Sequence, residues 1–194
     1  MLFLGISWLE QLEQLVKDAD DAILLFIGNH LHCGFLDAVM PVVTSLGDLG
    51  IVWIAVAAFL FFLKKEKKWA GLMLCALLAT VVLGDGIIKP IIERMRPFLS
   101  DPHIVLLIPP PSGFSFPSGH SGSSFAAATV LCFYHKKAGA AALLLAFLIA
   151  FSRLYLSVHY PSDVLAGALL GVAVAFCTVW AARKLEKKCK HLAP

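Results

Sequence analysis

Eight residues between positions 89 and 163 have the types and spacings that chemistry needs. Lys89 and Arg96 bracket "KPIIERMRP". Ser118, Gly119 and His120 stand in "PSGH", inside the small polar island "FSFPSGHSGSSF". Arg153, His159 and Asp163 share "SRLYLSVHYPSD". Lys89, Arg96 and Arg153, brought to one face, would repel one another unless an anion joined them. Phosphate is such an anion, and an arginine fork matches its oxygens. "PSGHSGSSF" reads as a Pro/Gly turn running into a helix. That places Ser118 and nearby backbone N–H groups at a helix N-terminus, which is an anion site, with Gly119 permitting close backbone approach.

The histidines complete the set. His159 lies four residues before Asp163, near the start of a helix. A carboxylate on one ring nitrogen fixes the tautomer and leaves the other nitrogen as a nucleophile. His120 is then the general acid for the leaving oxygen. The chemistry expected is phosphoryl transfer through a phosphohistidine on His159, with cations stabilising the charge that a metal would otherwise meet. Each segment alone has a plainer reading. Lys89, Arg94 and Arg96 suit interfacial anchors, "PSGH" suits an ordinary turn, and His159 with Asp163 suits a helix-start contact. The functional reading rests on all three occurring in one order on one face.

The elements that must position these residues are membrane helices. The chain has 194 residues, of which 59% are hydrophobic and only 15% charged, against about 25% charged in soluble domains. A span needs about 20 largely apolar residues. Five segments qualify, at about 48–63, 69–88, 121–134, 138–155 and 164–182; 22–46, apolar but broken by Asn29, His30, His32, Gly34 and Asp37, reads as a sixth span or as a helix pair dipping into the membrane, and six spans in total are favoured. Residues 1–21 carry Trp8, Leu9, Leu12, Leu15 and Val16 at helical spacing and read as an interfacial amphipathic helix. The fold class expected is therefore all-α: one domain over 1–194, with an interfacial helix (1–21), a bundle of about six transmembrane helices (22–182) and a basic tail (183–194). Backbone satisfaction in lipid permits little else.

"KKEKK" at 64–68, "HKK" at 135–137 and "RKLEKKCKH" at 183–191 fall on one side when the spans are counted, and the Lys/Arg bias makes that side cytoplasmic. The segments 89–119 and 155–163 then share the outer face. No cleavable signal is evident. The five cysteines show no C-x-x-C spacing, so neither a disulfide framework nor a zinc site is expected. No metal, cofactor or nucleic-acid partner is expected, only the bilayer and a lipid phosphate.

The three segments together resemble the signature of the type 2 phosphatidic acid phosphatase family: K-x6-R-P from Lys89 to Arg96-Pro97, P-S-G-H from Pro117 to His120, and S-R-x5-H-x3-D from Ser152-Arg153 through His159 to Asp163. No signature position departs. The resemblance implies a metal-independent membrane phosphatase with His159 as nucleophile, Asp163 as its partner and His120 as acid. Lys89, Arg96, Ser118, Gly119 and Arg153 would hold the phosphate. Within the family, the small size and outward site resemble bacterial inner-membrane members. Undecaprenyl diphosphate, dephosphorylated to recycle the cell-wall lipid carrier, is the substrate placed first. Phosphatidylglycerol phosphate, phosphatidic acid and lipid A are the alternatives, with lipid binding or transport without hydrolysis behind them.

Overall fold

The computed structural model describes the backbone of residues 2–192 and the side chains of 7–189. Every regular element among them is helical: α1 (Leu2–His30), α2 (Gly34–Ser45), α3 (Ile51–Phe62), α4 (Lys67–Val81), α5 (Lys89–Ile92), α6 (Pro97–Ser100), α7 (Gly119–Tyr134), α8 (Lys136–Tyr155) and α9 (Pro161–Leu192). By length and composition three stretches can cross a membrane: Lys67–Ser100, Lys136–Tyr155 and Pro161–Cys189. The pair Gly34–Ser45 and Asp48–Phe62, bent by 50°, would make a fourth if it is one span.

The boundary expected at residue 21 does not appear. α1 runs unbroken from Leu2 to His30, because nothing in "KDADDAILL" stops a helix. Trp8, Leu12 and Leu15 are exposed, whereas Asp20, Leu24 and Ile27 are buried against the bundle. The segment read as a span over 22–46 is thus the end of α1, a break, and α2.

The centre of the bundle is α7, wrapped by α4, α8 and α9. Its sequence explains the position. Ser121, Gly122, Ser123, Ser124 and Ala126–Ala128 are small and buried, and small residues let membrane helices approach backbone to backbone. A Cβ at Gly167 would collide with the Ser118 carbonyl oxygen, and one at Gly171 with that of Gly122. Trp53 of α3 closes the other side, and its indole N–H donates to Ser124 Oγ at 3.0 Å.

α4 does not end as an ordinary α-helix. Val82–Ile88, "VLGDGII", forms a π-helical stretch leading into α5, a local irregularity common at functional sites. The chain then turns at Glu93 in the left-handed region (φ 52°) and continues extended to α6. In extended chain alternate residues share a side, so Arg94 and Arg96 turn inward while Met95 is exposed.

The three basic clusters gather at one end. Lys68 pairs with Glu186 at 2.7 Å, Trp69 meets Tyr134 and Arg183 lies over the Phe133 ring. The residues singled out for chemistry lie at the far ends of the same helices.

Candidate active site

α9 begins at Pro161 and α7 at Gly119, and a backbone bond locks the two starts together: Ser118 N–H donates to the Asp163 carbonyl at 3.0 Å. Ser118 caps α7, its Oγ accepting from Ser121 N–H and Ser121 Oγ–H. The Ser118 N–H is therefore engaged internally and its Oγ accepts within α7, and the residue is buried behind the site. Asp163 is also buried.

His159 sits in the turn between α8 and α9, buried. Its Nδ1 is 3.3 Å from Ser115 Oγ and 3.5 Å from Asp163 Oδ2. The serine hydroxyl itself donates to Asp163 Oδ2 at 2.5 Å. The expected direct bond between His159 and Asp163 is thus shared with a serine standing between them. Asp163 Oδ2 also accepts from Tyr160 N–H, and Oδ1 accepts from Arg94 at 2.6 Å. Burial, reinforced by the positive charges of Arg153 and Arg96 and opposed by Asp163, pushes His159 down to about 3. Its imidazole is neutral at physiological pH, with Nε2 toward Arg96 Nη1 at 3.2 Å.

Arg96 behaves differently from a free phosphate fork. Nε donates to the Gly113 carbonyl, Nη2 to that of Ser112 and Nη1 to that of Val158. It staples the loop before "PSGH" to the turn that carries His159. Arg153 is the opposite case. Its Nη1 donates to Thr44 Oγ1 at 2.7 Å, but Nε is buried without a partner, and it forms no ion pair among the described residues. A buried guanidinium with an unsatisfied donor and no ion pair is costly, and an anion brought close to its charge offsets part of that cost. Lys89 is paired with Asp85 at 2.5 Å. His120 Nε2 lies 2.9 Å from Asp48 Oδ1. Burial and then the Arg153 charge, opposed by Asp48, push His120 down to about 4.

One cavity of about 510 Å³ is lined by Lys89, Arg96, Gly119, His120, Arg153 and His159 at its polar end. Ile54, Leu74, Leu77, Leu78 and Val81 of α3 and α4 line its flank. Six of the eight residues chosen from the sequence therefore meet around one space, and Ser118 and Asp163 support it from behind. The arrangement provides a neutral imidazole nitrogen, an anion-seeking guanidinium, a second imidazole and an apolar side channel.

Sequence reasoning missed four contributors. Ser115 lay in the quoted island without being singled out, and Asp48 and Thr44 carry no local signal. Arg94, by sequence, suits only a membrane-surface anchor. It instead bridges Asp163 to the buried Asp20 of α1, at 2.7 Å on Nη2, and Asp20 also accepts from the N–H and hydroxyl of Ser162.

The profile of the PAP2 superfamily matches residues 69–187. An undecaprenyl-diphosphatase of Sulfolobus acidocaldarius is 36% identical over 152 residues, covering 78% of this chain and 73% of that protein. A lipid A 4'-phosphatase of Bacteroides thetaiotaomicron is 30% identical, covering 93% and 84%. Among solved structures, a transmembrane PAP2-type phosphatidylglycerolphosphate phosphatase from Bacillus subtilis superposes with a TM-score of 0.72 at 29% identity, covering 88% of this chain and 87% of that one.

Proposed function

Because the chain belongs to the PAP2 superfamily and is a lipid phosphatase of that type, we propose that it hydrolyses a lipid diphosphate, with undecaprenyl diphosphate first among its substrates, through a phosphohistidine on His159. The observation that carries this reading is one cavity lined together by Lys89, Arg153, His120 and His159, with Arg153 buried and in no ion pair among the described residues. A phosphate entering there lies beside the Arg153 charge and meets the neutral Nε2 of His159. That lone pair forms the P–N bond as the P–O bond breaks, and His120 gives its proton to the departing oxygen. Water then attacks phosphorus, its proton goes to His120, and the P–N electron pair returns to Nε2. Asp163 holds the nucleophile, Lys89, Arg96 and Arg153 balance charge, and the N-terminus of α7 at Gly119 faces the phosphate. No metal takes part.

The apolar flank between α3 and α4 supports a lipid over a soluble ester. Each CH₂ buried there is worth about 0.8 kcal/mol, which a water-soluble phosphate ester forgoes. A cluster of three cations favours a diphosphate, since the distal phosphate takes the attack while a neighbouring cation screens the leaving one. In a bacterial inner membrane the bundle would cross about six times, α7 included, with the amphipathic start of α1 at the interface. The site would face outward and the basic C-terminus the cytoplasm.

Phosphate release from undecaprenyl diphosphate, phosphatidylglycerol phosphate, phosphatidic acid and a lipid A diphosphate, in one detergent, tests the substrate. The polyprenyl reading requires the first to lead in kcat/KM; a clear lead by another reassigns the substrate to that headgroup. Orientation is tested in an otherwise cysteine-free protein: Ser100→Cys should label from outside intact cells, and Cys189 alone should not. The reverse pattern inverts the topology.

A further inference from the structure

The α2–α3 turn, "GDLG" at 47–50, lies outside all three signature segments and outside the matched residues 69–187. It nevertheless grips His120. Asp48 Oδ1 is 2.9 Å from His120 Nε2. A Cβ at Gly47 would lie 2.6 Å from His120 Cδ2 and 2.8 Å from Ile149 Cγ2, so the ring occupies space that only a glycine leaves. The turn is held in an unusual course, with Leu49 at φ 52° and Gly50 at φ 67°. It thus meets the Cδ2–Nε2 edge of the ring, while Nδ1, on the opposite edge, makes no hydrogen bond among the described residues.

We propose that Asp48 is the positioning carboxylate of a second Asp–His pair, holding His120 through Nε2–H so that Nδ1–H delivers the proton to the leaving oxygen. The assignment rests on the role of His120 as general acid given above. The two pairs carry opposite duties. Asp163 is buried and saturated with donors, and it orients an imidazole that must stay neutral to attack. The Asp48 carboxylate is exposed and makes no other hydrogen bond among the described residues, and its charge favours the imidazolium that must donate. The proton passes from His120 Nδ1 to the leaving oxygen as the P–O bond breaks. In the second half-reaction the neutral Nδ1 accepts the proton of the attacking water, and Asp48 keeps its charge throughout. The charged groups facing His120 are Asp48 from the turn, Arg153 from α8 and Lys89 from α5. Asp85 approaches the neighbouring Gly119. Among these, Asp48 is the carboxylate bonded to the ring.

General acid catalysis matters most when the leaving group is poor, and it contributes about 10²- to 10⁴-fold. The experiment therefore compares two lipid-tailed phosphates in one detergent: an alkyl phosphate, whose leaving alkoxide needs a proton, and a nitrophenyl phosphate bearing the same alkyl chain, whose phenolate does not. Wild type, His120→Ala, Asp48→Ala and Asp48→Asn are measured across pH, with thermal unfolding as the check on folding. Asp48→Ala is expected to lose roughly tenfold or more in kcat/KM on the alkyl ester while staying within about threefold of wild type on the aryl ester, and its alkaline limb should move to lower pH. Asp48→Asn, which keeps a hydrogen-bond acceptor without the charge, should show the same selectivity and serves if the alanine variant does not fold. Equal losses on both esters, or no loss on either, with His120→Ala still selective for the alkyl ester, would overturn the role of Asp48 alone. If His120→Ala is itself unselective, the general-acid reading fails, and this assignment with it.

Discussion

Arg94 joins the site to the first helix: its guanidinium donates to Asp163 Oδ1 at 2.6 Å and to Asp20 Oδ2 at 2.7 Å. It also lies over the Tyr160 ring. The carboxylate behind His159 is therefore held from a helix over 140 residues away, outside the matched family region. Asp20→Ala should leave Arg94 and Ser162 without their shared acceptor. The half-buried guanidinium then loses one of its two carboxylates and Ser162 its acceptor, so the unfolding temperature should fall and turnover with it. Arg94→Lys, which cannot bridge two carboxylates with a planar fork, should lower kcat more than KM. Unchanged kcat in both variants would show that the bridge plays no part in orienting Asp163.

His159→Ala should abolish turnover in a protein that still unfolds cooperatively, since nothing in the cavity replaces Nε2. Asp163→Asn should keep substrate binding and lose much of kcat; the corresponding change in a serine protease triad costs about 10⁴-fold. A trapped phosphoenzyme should be acid-labile and absent from His159→Ala. Near-normal rates in that variant would remove His159 from the mechanism.

The pH dependence follows from the two shifted histidines. His159 is pushed down to about 3, so it is neutral throughout the working range, and an acidic limb near pH 5–6 would belong to the substrate phosphate. As the proposed general acid His120 must be protonated, yet burial and Arg153 push it down to about 4. A bound phosphate dianion favours the imidazolium and raises it. The alkaline limb of kcat, which reports the complex, should therefore lie at higher pH than that of kcat/KM, which reports the free enzyme. Coincident limbs would mean that substrate charge does not tune His120.

Activity should survive excess EDTA. The charged lining of the cavity is cationic apart from Asp85, which is committed to Lys89, and divalent cations need several oxygen ligands. Vanadate, a mimic of the five-coordinate phosphoryl state, should compete with substrate and lose affinity in Arg153→Ala. An activity lost to EDTA and restored only by Mg²⁺ or Mn²⁺ would refute the metal-free mechanism.

Gly171→Ala should destabilise the bundle by about 1–3 kcal/mol, the usual cost of overpacking, because its Cβ meets the Gly122 carbonyl of α7. α7 and α9 carry His120 and Asp163 at their starts, so activity should fall as the helices separate. Thermal unfolding and turnover of this single variant measure both effects.

The sequence alone determined the membrane class and the helical fold, and it picked out six side chains that line one cavity. Long apolar runs exclude other folds in lipid, and the spacings from Lys89 to Asp163 are local and survive any packing. It also indicated that the basic clusters share one end, which Lys68, Glu186 and Arg183 bear out. Only tertiary structure decided how the side chains are used. Ser118 is turned inward because α9 brings the Asp163 carbonyl to its N–H. Arg94 is a half-buried bridge rather than a surface anchor because the left-handed turn at Glu93 points it into the bundle beside Asp20. Asp48 reaches His120 across 72 residues, and no periodicity or motif records such a distance. Side-chain type and local spacing fix what a residue can do, whereas its hydrogen-bond partner depends on which distant helix packs beside it.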